Sequence, residues 1–255
     1  MVKNIDNGLW DDFQKDIAKE LKKFKTDFLR GPVIAKTTCP SDGRHVATYI
    51  QAFNSKKDKA ILDHLKDPEF GQPYTDRKNN VTLVTTQSLY YIKLMKDIFH
   101  IHIPTQITHV VDIGGGYGNM YRILNNMGYL QRYQIIDFPI MHRMQKYYID
   151  NTCSFTKNLE FIDLNMKKAK PEGGKSLLIA THSINEMPLA VRTPIEPYYK
   201  NYDYIFINHN KRFDRIDNVE YFAKINALLE TDYRVYDFQC TINQQHYFKL
   251  YERNQ

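Results

Sequence analysis

The chain has 255 residues, of which 42% are hydrophobic and 25% charged, and a formal net charge of +6. That is ordinary for a globular protein, with room for one large domain or a core plus an appendage. No apolar run reaches the length of a membrane-spanning helix, and the start, Met1-Val2-Lys3-Asn4-Ile5-Asp6, has no signal-peptide core. Cys39, Cys153 and Cys240 are odd in number and far apart, which fits a reducing, cytoplasmic setting and neither a zinc site nor a disulfide framework.

The first predicted element is an amphipathic helix over residues 10–29. Trp10, Phe13, Ile17, Leu21, Phe24 and Phe28 recur at three- and four-residue steps, and Lys15, Lys19, Lys22, Lys23 and Lys25 take the wet face. This densest basic cluster therefore reads as a solvated helix face, and nucleic acid is not expected as a partner. Gly31-Pro32 stops the helix. Residues 36–44, with Pro40, Asp42 and Gly43, read as a loop, and residues 56–65 as a short helix ended by Asp67-Pro68. Residues 70–80 form a polar connection carrying Gly71, Pro73 and Tyr74. From 81 to 99 the apolar residues return at helical spacing, with Leu89, Ile92, Met95 and Phe99 in one stripe.

Residues 110–118 read Val-Val-Asp-Ile-Gly-Gly-Gly-Tyr-Gly, an apolar strand running into glycines at every second position, Gly114, Gly116 and Gly118. Such a turn brings backbone N–H groups close to a ligand. A dinucleotide fingerprint needs its third glycine where Asn119 stands, so that pattern fails. A second short strand ends in Asp137-Phe138-Pro139, and a third, from Leu159, ends in Asp163-Leu164. A fourth, from Ser176 to Ala180, leads into Thr181-His182-Ser183-Ile184-Asn185-Glu186-Met187-Pro188. A fifth spans residues 202–208, and residues 233–240 and 246–252 read as a closing hairpin. Three acids ending three successive apolar strands mark the ligand edge of an open parallel sheet.

The Asp-x-Gly-x-Gly-x-Gly pattern resembles the first motif of S-adenosylmethionine (SAM)-dependent class I methyltransferases. That resemblance implies an α/β fold: a Rossmann-like, mostly parallel sheet closed by a hairpin over residues 105–255, with an N-terminal helical cap over residues 1–104. It implies a SAM site formed by Asp112, Gly114, Gly115, Gly116, Tyr117, Asp137, Phe138, Asp163, Leu164, Thr181 and His182. Asp137 would hold the ribose hydroxyls, Asp163 would meet the adenine amino group and Leu164 would pack on its ring. The cap would cover the cofactor, form a substrate wall with Gln87, Tyr90 and Tyr91 as candidates, and allow pairing into a homodimer.

Methyl transfer to a hydroxyl needs a base near the acceptor, because neutral alcohols are poor nucleophiles. His182 and Glu186 after the fourth strand, and His209 after the fifth, are the candidates, with Glu186 and His182 ranked above His209. Asn185 and Asn208 are candidates for holding the acceptor. Asn185-Glu186 falls where related O-methyltransferases often carry a His-Asp pair, so the phenolic mechanism is not simply copied. Ser183-x-x-Glu186, the aromatic strand ending in Asn208, Asp137-Phe138-Pro139 and Tyr147-Tyr148 resemble the sugar O-methyltransferase family. A sugar or glycan hydroxyl is therefore the expected acceptor. A small aromatic or polyketide hydroxyl, or a non-catalytic SAM-binding protein, are the alternatives. Asn185-Glu186-Met187-Pro188 lacks the Pro-Pro-aromatic motif of enzymes that methylate base amino groups. No paired acids follow the fourth strand, so a metal is not implied.

Overall fold

The computed structural model describes residues 8–23, 25–40 and 45–254, with the side chains of residues 8–11 excluded. Phe24, the side chain of Trp10, Asp42 and Gly43, all named above, lie outside the described residues. Contacts gather the chain into two units. The first takes the chain up to Asp97 together with Gly116–Tyr129 and Pro139–Lys157; the second takes Ile98–Gly115, Leu130–Phe138 and Asn158–Gln255. These units run differently from a boundary at 104/105, because two helices that follow sheet strands cluster with the N-terminal helices.

In the first unit, helix α1 (Gly8–Leu21) buries Ile17 and Leu21. Its wet face carries the exposed pairs Lys15–Asp12 and Lys19–Asp16, as the spacing predicts. The helix stops eight residues before the predicted end. The backbone at 26–29 pairs instead with Gly71, whose N–H donates to Thr26 O (2.7 Å) and whose carbonyl accepts from Leu29 N–H (3.1 Å). Short helices α2 (Pro32–Thr37), α3 (Val46–Gln51) and α4 (Lys59–Leu62) follow. The α1 residue Glu20 accepts the first free N–H groups of α2, from Val33 (2.9 Å) and Ile34 (3.1 Å). Helix α5 (Leu83–Phe99) matches the predicted apolar stripe: Leu89, Ile92, Met95 and Phe99 are all buried.

After the short α6 (Ile103–Gln106), the second unit holds strands β1 (His109–Ile113), β2 (Arg132–Asp137), β3 (Leu159–Asp163), β4 (Ser176–Thr181) and β5 (Tyr204–Asn210). A ribbon, β6 (Arg212–Phe213) and β7 (Ile216–Asp217), precedes the hairpin β8 (Tyr233–Gln239) and β9 (His246–Arg253). Among the described residues, seven strands form one sheet in the order β3-β2-β1-β4-β5-β9-β8. The first five are parallel, and β9 enters antiparallel between β5 and β8. Every residue of β1 is buried, as expected of a parallel strand covered on both faces. One core gathers Val111, Ile113, Leu178, Ile205 and Ile207 of the sheet with Phe222, Ile225 and Leu229 of α10 (Asn218–Leu229).

Helices α7 (Asn119–Asn126) and α8 (Pro139–Thr152), which follow β1 and β2, belong to the first unit. They meet at Gly118, whose left-handed φ of 95° starts α7; a Cβ there would lie 2.8 Å from Ile149 Cδ1. Arg122 on α7 is buried, bonded to Asn119 Oδ1 (2.8 Å) and Thr85 Oγ1 (3.3 Å) and 3.9 Å from Asp67. No described helix is long and apolar enough to cross a membrane.

Candidate functional site

The β1 strand runs directly into the glycine turn. Gly114 takes φ 70°, and its N–H donates to Ile136 O at 2.8 Å. A Cβ at Gly114 would stand 2.3 Å from Ser183 Cβ, so the close approach of the segment after β4 demands glycine there. Ser183 Oγ in turn donates to Ile113 O. The serine of the Ser-x-x-Glu motif thus packs the β4 end onto the turn.

The three acids do not stand level. Asp137 and Asp163 are partners in the β2–β3 register, side by side at the strand ends. Asp112 instead pairs with Ile135, two residues below Asp137. It is buried under the turn, where Tyr133 OH donates to its Oδ2 at 2.9 Å and its Oδ1 has no hydrogen-bond partner. Burial raises its pKa from 3.8 to about 7, and the tyrosine bond opposes that rise. The folded state therefore binds a proton that the unfolded chain releases near pH 4. The contribution is most favourable at low pH and is lost as pH rises from about 4 to about 7. The buried histidines His182 and His209 act in the opposite sense below about pH 6.5, so the Asp112 share is read as a difference: the Tm of the native chain relative to Asp112→Asn is expected to fall between pH 5 and pH 7. A difference that does not change with pH would mean that Asp112 is ionised throughout.

At the β4 end, Thr181 pairs with Asn208 of β5, and His182 N–H donates to Asn208 O (3.0 Å). His182 adopts φ 55°, an uncommon left-handed conformation for a residue with a Cβ. Its ring lies edge-on to His246 with centroids 4.5 Å apart. Burial, reinforced by His246 and His209, pushes its pKa down to about 3, so it is neutral at physiological pH and a weak proton acceptor.

A 3-10 turn, Ile184–Glu186, follows. Burial raises the Glu186 carboxyl from 4.5 to about 7, and the Arg192 charge pulls it back. Arg192, on helix α9 (Leu189–Arg192), is fully buried. It donates to Met187 O (2.6 Å), to Asn185 O and to Asn218 Oδ1 (2.7 Å), and its guanidinium lies 4.8 Å from the Tyr221 ring centroid. It makes no salt bridge among the described residues. This side chain holds the turn that carries Glu186, and nothing in its sequence neighbourhood pointed to it.

Other predicted residues lie deeper than expected. His209 is fully buried inside β5: its ring is 4.4 Å from Phe222 and 5.5 Å from Tyr247, and its Nδ1 meets Asn210 O at 3.0 Å. As a strand residue with its side chain in the core, it is not placed to meet an acceptor. Asn208 is also fully buried and donates to Tyr247 O (3.2 Å), which ties β5 to β9. Asn185 is fully buried, and neither of its amide atoms has a hydrogen-bond partner.

Phe138 is half-buried, and its N–H donates to Asp137 Oδ1 at 2.8 Å. Asp163 is exposed, and Leu164 is half-buried. Leu164 lines a cavity of about 250 Å³ with Ile136, Met166, Val191, Ile195 and Tyr198. Gly115 is closely packed, since a Cβ would lie 3.0 Å from Ile135 Cγ2 and the isoleucine would have to give way by a few tenths of an ångström.

Gly116 and Tyr117 fall in the first unit. Gly116 takes φ 57° with open space where a Cβ would stand. The Tyr117 side chain, expected at the cofactor, is buried edge-on to Tyr148 with centroids 4.9 Å apart. Tyr90 and Tyr91, expected on a substrate wall, are buried in the same unit, Tyr90 edge-on to Tyr49 at 5.3 Å. Gln87 is half-buried and reaches Tyr49 OH at 3.5 Å. The aromatic rings at 90 and 91 follow the buried stripe of α5 and serve packing.

No family model matches the chain. No curated protein matches it. Among solved structures, the methyltransferase domain of bacterial-CtHen1-C is similar over 66% of this chain and 97% of its own, at 10% identity and a TM-score of 0.50. The CtHen1-CN form of that domain is similar over 65% and 97%, at 12% identity and the same score. Mitomycin 7-O-methyltransferase MmcR covers 95% of this chain and 67% of its own, at 11% identity and a TM-score of 0.46. These first two show the fold alone: a Rossmann-like α/β sheet, which in this chain has the strand order and closing hairpin given above.

Proposed function

We propose that the chain is a SAM-dependent O-methyltransferase whose acceptor is a hydroxyl of a sugar or glycan. The observation that carries this reading is the turn after β4. Ser183 seats it on the glycine turn, and it presents one carboxyl, Glu186, whose pKa of about 7 suits proton transfer at neutral pH.

The residues of the second unit fit the cofactor. Asp112 leaves a buried carboxyl oxygen unpartnered beneath the turn, and Asp137 and Asp163 stand level at neighbouring strand ends. Gly114 and Gly115 bring the backbone in close, Asp137 takes the ribose hydroxyls with Phe138 beside it, and Asp163 takes the adenine amino group. Leu164 and the apolar cavity beside it take the adenine ring, while Thr181 and His182 line the β4 end. When bound, SAM supplies the electrophilic methyl group. The chain's own part is to align the acceptor oxygen and accept its proton at a Glu186 carboxyl oxygen. His182 borders the site as a neutral ring and His209 packs the core beneath it.

Asp137→Ala is expected to weaken binding of S-adenosylhomocysteine at least about tenfold, since hydrogen bonds to a charged group are worth about 1.5–3 kcal/mol each. Calorimetry on the folded variant checks this, and unchanged affinity removes Asp137 from the site. The acceptor is tested with labelled SAM and a panel of sugars, glycans and phenols, read by mass spectrometry for the gain of one methyl group. Methylation of phenols alone would overturn the sugar assignment.

A further inference from the structure

The ribbon β6–β7 follows β5 at the carboxyl edge of the parallel strands, where open α/β sheets bind ligands. Its first strand lies beside the Ile184–Glu186 turn. The half-buried Phe213 and Ile216 face each other across the ribbon and fix it, and Asp214 forms its tip at φ 48°.

Three exposed cations crowd this short segment: Lys211, Arg212 and Arg215. None makes an ion pair or side-chain hydrogen bond among the described residues. Asp217 opposes Arg212 in the register, yet its Oδ1 accepts the N–H groups of Val219 (2.9 Å) and Glu220 (3.2 Å) at the start of α10. Neither Asp217 nor the exposed Asp214 at the tip makes an ion pair with these cations among the described residues, and the segment 211–215 keeps a net positive charge.

We propose that this ribbon binds the phosphate of a small phosphorylated acceptor, a sugar phosphate or a nucleoside-diphosphate sugar, and so orients its hydroxyl toward Glu186. This deepens the reading of the site as a hydroxyl methyltransferase and rests on it. Guanidinium groups match phosphate oxygens in a two-bond fork, and a lysine adds a point charge. The charge spans five residues, a footprint for one or two phosphates and not the long basic track that nucleic acid needs.

The test uses the full chain and the variant K211Q/R212Q/R215Q, with folding checked by circular dichroism. Both are titrated by calorimetry with inorganic pyrophosphate, glucose 1-phosphate, uridine diphosphate glucose, glucose, a short single-stranded RNA and S-adenosylhomocysteine. Pyrophosphate is expected to bind the native chain and to bind the variant about tenfold more weakly, with a dependence on salt. Glucose should not bind measurably, and S-adenosylhomocysteine should bind both proteins alike. Tighter binding of the nucleotide sugar than of glucose 1-phosphate identifies the nucleoside-diphosphate sugar as the acceptor, and the reverse order identifies the sugar phosphate. Equal pyrophosphate affinity in the two proteins overturns the proposal. So does tighter binding of RNA that is lost in the variant, which makes nucleic acid the partner. Failure of S-adenosylhomocysteine to bind the native chain sinks the cofactor reading and leaves the phosphate result standing.

Discussion

Glu186→Gln is expected to slow methyl transfer about 10²–10⁴-fold while leaving cofactor affinity nearly intact, the usual cost of removing a general base. The candidate bases separate by where they titrate. The His182 ring, at about 3, holds a proton too weakly to draw one from a hydroxyl, and His209, at about 4, lies in the core. Glu186, at about 7, is half deprotonated at neutral pH and combines availability with driving force. The single-turnover rate should therefore climb with pH below about 7 and level off above it. The Gln variant should lose that limb of the profile, and His182→Ala should keep it. A Gln variant with a near-native rate and an unchanged profile would place the base elsewhere.

Arg192→Met is expected to lower stability by more than about 3 kcal/mol, because it strands three buried acceptors at about 1–3 kcal/mol each. These are Asn185 O, Met187 O and Asn218 Oδ1. For a chain of this size the Tm should drop by at least about 6–12 °C. A second effect separates this side chain from ordinary packing. Its charge opposes the burial that raises Glu186, so the rising limb of the pH–rate profile should move to higher pH in the variant. Arg192→Lys keeps the charge and loses the fork, so it should restore the profile more fully than the Tm. A profile that stays put in Arg192→Met would show that the guanidinium only fills space.

What could be read in the sequence was local. The glycine turn and the acids ending β2 and β3 each declare themselves within ten residues and the closing hairpin within about twenty, and the structure has them as strands and turns at those places. Asp112 looked equivalent to Asp137 because both end an apolar run; the register, a property of two strands together, sets it two residues deeper. Tyr117, Asn208 and His209 looked like site residues because of their neighbours in the chain, and burial is decided by other segments. Residues 22–29 carry a helical pattern, yet the backbone of Thr26 and Leu29 is recruited by Gly71, more than forty residues away. Arg192 and the β6–β7 ribbon had no sequence signal, since a buried cation and two-residue strands acquire meaning only from their partners.

The place of β9 also bears on how the sheet comes together during synthesis. The five parallel strands are complete once residue 210 has been made, but β5 keeps one edge of unpaired amides until residues 246–253 arrive. The strand made just before, β8, cannot cover that edge, because it joins the sheet only through β9. A nascent chain therefore carries an open, apolar strand edge for the time needed to add about forty residues, at about 5–20 residues per second. Such an edge is a template for pairing with other chains. Stalled translation in that interval would leave the molecule most exposed to aggregation.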